Sequence, residues 1–287
     1  MIIDLHLHSH YSPDGRHSIP QLLDLFSEGD IAGLTDHETI GGWPEFEKEA
    51  NKRGIKPVLG IEWFAPGCHI LAYFFDGVPN AFYQYMKARR ATEKSCMHTL
   101  YEEFRKDNPR LKPYNEALKL RAHPENILGL PGFAEAVSKA SDIAQEDAED
   151  IVRRQKRAMP DGTRPEPFNP EEIIKNINGW NAVPVLAHPY RCSQGKDGRE
   201  KKETVENKIR ELANAGIKGV DVYSWNSNQE ELEHLLGLCD ELKLAPIVGS
   251  DFHHANKGLR PQDLNALDRK LIQRIFEWIE NLAAPTL

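Results

Sequence analysis

Ile2-Ile3-Asp4-Leu5-His6-Leu7-His8 opens the chain, with Asp14 shortly after it. The stretch reads as a strand that ends in metal-ligand types, and alternation puts His6 and His8 on one face. The same pattern recurs three times. Ile31-Ala32-Gly33-Leu34 stops at Thr35-Asp36-His37, Pro184-Val185-Leu186-Ala187 stops at His188, and Pro246-Ile247-Val248-Gly249-Ser250 stops at Asp251-Phe252-His253. Asp251 and His253 again share a face, whereas Asp36 alternates away from His37. One histidine at a strand end is usually structural, but chance is a poor account of so many in one topological place. Imidazole and carboxylate are the ligands that zinc, manganese and iron prefer. The pattern therefore predicts metal-assisted chemistry.

Length and composition bound the remaining possibilities. At 287 residues the chain is one large domain, or one domain carrying an insertion. A net charge of −8 gives no basic surface for a long nucleic acid, whose phosphates need many cations. No run of about 18 apolar residues is present, so no membrane span is expected. The start lacks the basic and apolar regions of a secretory signal. Cys68, Cys96, Cys192 and Cys239 form no C-x-x-C pair, which suits a reducing cytoplasm rather than a disulfide framework.

Outward from the first strand, Pro20 starts a helix, and a second helix through Trp43, Phe46 and Ala50 closes at Gly54. Two more strands are expected, Pro57–Glu62 and Cys68–Phe74, with Glu62 and His69 at or next to their ends. The texture changes near Asn80. Phe82, Tyr85, Met86, Met97, Leu100, Tyr101 and Phe104 recur at helical spacing, and a second helical stretch runs from about Gly132 to Ala158. A charged, proline-rich run at 160–167 follows and suggests a mobile connection. We read 80–168 as a helical insertion between two barrel parts, 1–79 and 169–287. Strands alternating with helices favour a parallel sheet with right-handed crossovers. Ligands at the carboxyl ends of many strands point to a barrel, with an open doubly wound sheet as the alternative.

The motifs D-L-H-L-H-S-H-Y-S-P-D-G, T-D-H, G-I-E, A-H-P and G-S-D-F-H, in that order, resemble those of the PHP (polymerase and histidinol phosphatase) superfamily. The resemblance covers about 1–75 and 170–287. It is nearest to the metal-dependent phosphoesterases acting on nucleotides, through the insertion, A-H-P-Y-R, and V-D-V-Y-S followed by G-S-D-F-H. It implies an α/β fold, a distorted (β/α)7 barrel, with two to three divalent ions (Mn, Fe or Zn) at the strand carboxyl ends. The implied ligands are His6, His8, Asp14, His37, Glu62, His69, His188, Asp251 and His253. Asp14 stands where many relatives have a third histidine, and Glu62 is the implied bridging carboxylate. Arg191 matches a position that contacts substrate phosphate. One departure is visible: residues 127–133 carry no basic side chain, where relatives acting on nucleotides commonly do.

The resulting expectation is hydrolysis of a phosphomonoester on a small phosphorylated substrate, plausibly a nucleotide 3',5'-bisphosphate, by a metal-bridged hydroxide. Histidinol-phosphate phosphatase and short-oligonucleotide exonuclease are the competing activities. A catalytically inactive regulatory PHP domain would lack several ligands, and here every expected position is filled. The insertion is expected to set substrate choice, since its stems follow His69 and precede His188.

Overall fold

Alternation and burial together make β1 (Ile3–Leu7): all five residues are buried, as in a strand covered on both faces. In this computed structural model the described residues are 1–120, 124–125, 127–160, 163, 169–191, 200–224, 227–254, 261, 264 and 267–283. Seven strands form one sheet in chain order: β1, β2 (Ile31–Leu34), β3 (Lys56–Ala65), β4 (Cys68–Phe74), β5 (Val183–Ala187), β6 (Gly219–Tyr223) and β7 (Ala245–Val248). The sheet curls into a nearly closed barrel. Leu7 bridges Phe252 in parallel, and the His8 N–H donates to the Phe252 carbonyl at 3.0 Å. Asp4 Oδ1 ties the same seam by accepting from Ser250 N at 2.9 Å. Glycine is required at 249, because a Cβ there would stand 2.2 Å from His6 Cβ.

The expected all-parallel sheet needs one correction. β4 pairs antiparallel with both β3 and β5, while the other neighbours are parallel. The reason is the length of the connection. Only Pro66 and Gly67 separate β3 from β4, too few for a crossover, and Gly67 takes φ +75 to close a hairpin.

Helices pack around the outside: α1 (Ile19–Leu23), α2 (Trp43–Lys52), α3 (Asn80–Asp107), α4 (Tyr114–Ala117), α5 (Leu130–Ser141), α6 (Gln145–Ala158), α7 (Pro170–Gly179), α8 (Lys202–Ala215), α9 (Gln229–Leu242) and α10 (Arg269–Ala283). Because β4 is reversed, the chain leaves it at the end of the barrel away from His69. α3 then climbs back; at 1.5 Å per residue its 28 residues reach ~42 Å, well beyond one barrel height. Its start, with Phe82 and Met86, belongs to the barrel core. Its far half, with Met97, Leu100 and Tyr101, joins Tyr114, Phe133, Val137 and Val152 in a second apolar cluster. The helical stretch expected from Gly132 to Ala158 is two helices, broken where Asp142 adopts φ 56. Most of the run at 160–167 lies outside the described residues, as does Cys192.

Cys68, Cys96 and Cys239 are buried, and no disulfide joins them. Among the described residues, no helix is long and apolar enough to cross a membrane.

Candidate metal centre

Strand ends on one face of the barrel bring the nine candidate residues together in three overlapping groups. His8, Asp14, His37 and His253 form one; His6, Glu62, His188 and Asp251 form another; His37, Glu62 and His69 form the third. Within each group one potential ligand atom per residue lies within 4.8 Å of the others. His69 arrives differently from the rest. It sits at the start of β4, opposite Phe64 of β3, and reaches the cluster because that strand is reversed.

Glu62 is the hub. Its Oε2 lies 3.2 Å from His6 Nε2, 3.1 Å from His8 Nε2 and 3.2 Å from His37 Nδ1. Its Oε1 lies 2.9 Å from His69 Nδ1 and 3.0 Å from His188 Nε2. The carboxylate is fully buried, so five imidazoles replace its water. Asp251 adds a second acceptor, 3.5 Å from His6 Nε2 and 3.4 Å from His8 Nε2, and Asp14 lies 3.0 Å from His253 Nε2.

These distances fit shared cations better than a closed hydrogen-bond network. His8 Nε2, His37 Nδ1 and His253 Nε2 are buried and close to carboxylate oxygens, yet none is aligned for a hydrogen bond. Three remote ring nitrogens are meanwhile engaged. His6 Nδ1 faces Asp221 Oδ2 at 3.3 Å, His253 Nδ1 donates to the Asp251 carbonyl at 2.8 Å, and His8 Nδ1 lies 3.4 Å from Ser12 Oγ. A metal-ligating histidine characteristically has its other nitrogen held this way, which fixes ring orientation and aims the free lone pair inward. Backbone conformation contributes as well. Glu38, His188 and Asp251 all adopt positive φ (48, 28 and 53), turning the chain abruptly as it leaves the strands.

Electrostatics give the same picture. Burial pushes the His6 imidazole down, but Glu62 and Asp251 outweigh it and raise the pKa to about 10. His8 is likewise raised to about 9, against burial, by Asp251 and Glu62. Burial raises the Glu62 carboxyl, and the surrounding histidines bring it well below its ordinary value. His37 is itself pushed down to about 3, chiefly by burial. Protons on these rings balance the carboxylates, and divalent cations would take over that role.

Asp221, in the middle of β6, went unrecognised as part of the centre by sequence reasoning. It is buried, receives His6 Nδ1, and also accepts from the His188 N–H at 3.4 Å. The available signal was a carboxylate inside the apolar strand Gly219-Val220-Asp221-Val222. Asp221→Asn should weaken metal binding about 10–100-fold, as removing such supports typically does. Competition with a chelator would measure this, and unchanged affinity would separate Asp221 from the centre. Asp36 is not among the gathered groups. It accepts from Ser9 N at 2.6 Å and Ser9 Oγ at 2.8 Å, holding the loop after β1. Arg191 closes a 3-10 turn, Pro189–Arg191, whose N–H returns to the His188 carbonyl at 2.8 Å. On α3, Arg89 donates to both Glu38 oxygens at 2.9 Å, and Arg90 pairs with Glu125.

The profile of the PHP domain family matches residues 4–162. Over 271 residues the chain is 26% identical to a 3',5'-nucleoside bisphosphate phosphatase of Chromobacterium violaceum, covering 90% of this chain and 89% of that one. It is 25% identical to a 5'-3' exoribonuclease of Haemophilus influenzae, covering 87% and 89%. Two solved structures share the fold. One, from Bifidobacterium adolescentis and assigned as a metal-dependent phosphoesterase, has a TM-score of 0.66 at 22% identity, covering 95% of this chain and 96% of that one. The other, an amidohydrolase from Chromobacterium violaceum with bound sulfate, has a TM-score of 0.68 at 20% identity, covering 98% and 97%.

Proposed function

The chain belongs to the PHP domain family and is a metal-dependent phosphoesterase, and from that premise we propose that it removes a phosphate from a nucleoside 3',5'-bisphosphate. The chemistry rests on the double use of Glu62, whose two oxygens face different sets of imidazoles. The nine gathered side chains are the proposed ligands for two to three divalent ions. Such ions supply Lewis acidity, neutralising phosphoryl charge and acidifying water toward neutral pH.

The chain's own residues do the rest. Asp221 and the Asp251 carbonyl hold His6 and His253 in orientation. Arg191, one turn past His188, offers a planar fork for phosphate oxygens as charge develops on them. Ser9 and Ser12 are buried and donate to Asp36 and Asp14, so neither presents an accessible nucleophile. The reading is direct attack of water on phosphorus, in which the P–O ester bond breaks and the sugar oxygen leaves as a hydroxyl after taking up a proton. The nucleotide assignment is supported by the 26% identity to a bisphosphatase along 90% of the chain. A second reading, hydrolysis of a short oligoribonucleotide, is favoured by the nearly equal identity to an exoribonuclease.

Turnover on a metal-loaded panel separates these readings, followed as phosphate released from a nucleoside 3',5'-bisphosphate, histidinol phosphate and glycerol phosphate, and as mononucleotide released from a short oligoribonucleotide. The highest kcat/KM should fall on the bisphosphate; a preference for histidinol phosphate would overturn the assignment. On the preferred substrate Arg191→Ala should lower kcat/KM roughly ten- to a hundred-fold, the worth of one charge-assisted contact. Lysine should restore only part, because it lacks the fork. An unchanged alanine variant would remove Arg191 from the site.

A further inference from the structure

Phe64 has a placement that metal chemistry alone does not require. It follows Glu62 by two on β3, so both project from the same side of the strand, while Trp63 between them is buried on the other side. Phe64 is 43% exposed, and among the described residues only Met1 and Tyr83 are comparably exposed large hydrophobics. A lone exposed phenylalanine is ordinary on a protein surface. This one stands on the metal cluster. Its ring stacks on His37 with centroids 4.3 Å apart and 20° between planes, and it meets His69 edge to face at 4.7 Å. Both histidines belong to the group that contains Glu62.

Two contacts at right angles fix the ring's tilt and position. His37 stacks on one face, and 43% of the residue stays exposed. The short Pro66-Gly67 turn holds it there, since β3 and β4 remain paired up to Ala65 and Cys68. A rigid aromatic surface of this kind accepts a second flat ring with little loss of side-chain freedom. Nucleobases stack on such surfaces whatever their identity, because each has a π-face.

We infer that Phe64 is the stacking platform for the substrate's base, and so a specificity-determining residue that selects phosphoesters bearing a flat ring. The inference rests on the nucleotide reading above. The competing role is purely structural, a hydrophobic cover that keeps His37 in place.

The test compares kcat/KM for a nucleoside 3',5'-bisphosphate with that for glycerol phosphate, on metal-replete protein whose metal content is measured. In Phe64→Ala the ratio should fall about ten- to a hundred-fold, mostly through KM, in line with the usual effect of losing one base stack. Phe64→Trp should restore it. Phe64→Leu, which keeps apolar bulk without a π-face, should show the same loss and serves if the alanine variant folds poorly. The inference is overturned if the ratio is unchanged, or if both substrates and metal content decline together. If the wild-type protein itself shows no preference for the nucleotide, the nucleotide reading fails and takes this inference with it. That outcome is visible without any variant.

Discussion

Glu62→Gln should remove turnover while leaving the barrel folded. The amide keeps the shape of the side chain but has one oxygen, where the carboxylate uses two toward five imidazoles. It also lacks the charge needed to hold neighbouring cations together. The loss in kcat should exceed the roughly 10–100-fold typical of a residue that merely supports a ligand. Circular dichroism and a melting curve would establish that the variant is folded. Near-normal kcat with a full metal complement would show that Glu62 is not the bridge.

The second large effect is expected from the metals themselves. Nine candidate ligand residues in three overlapping groups are more than a single four-coordinate ion can use. Elemental analysis after reconstitution should find at least two divalent ions per chain, and exhaustive chelation should abolish phosphate release. Stability should follow. An ion at a thousand times its Kd contributes about 4 kcal/mol, which for a chain of this size raises Tm by roughly 5–10 °C. Readdition of manganese, iron or zinc one at a time would identify the ion that restores turnover. A stoichiometry at or below one after careful loading would refute a multinuclear centre.

Much of this centre was legible because the side-chain period of a strand is two. His6 and His8 declare a shared face without any knowledge of the tertiary structure, whereas Asp251 and His253 lie beyond β7, where Asp251 at φ 53 breaks the alternation expected of them. The orientation of β4 was harder to read. Ile70-Leu71-Ala72-Tyr73-Phe74 is an apolar run that looks alike in either direction. The informative feature was the two-residue gap at Pro66-Gly67, which periodicity does not register. Asp221 was hidden for a different reason. Its partner His6 is 215 positions away in sequence, and only closure of the barrel brings them together. Arg89 likewise reads as one charge among many on a long helix until α3 places it against Glu38, next to His37.

α3 is rooted in the barrel core through Phe82 and Met86 and in the second apolar cluster through Met97, Leu100 and Tyr101. An unbroken helix joining two packed bodies behaves as a stiff lever. To bend between residues 87 and 96 it would have to open consecutive backbone hydrogen bonds that have no other partners at hand. Displacement of the far cluster would therefore tilt the whole rod and strain the Arg89–Glu38 clasp midway along it. Glu38 adjoins His37, so this clasp ties α3 to the backbone beside one of the candidate ligands.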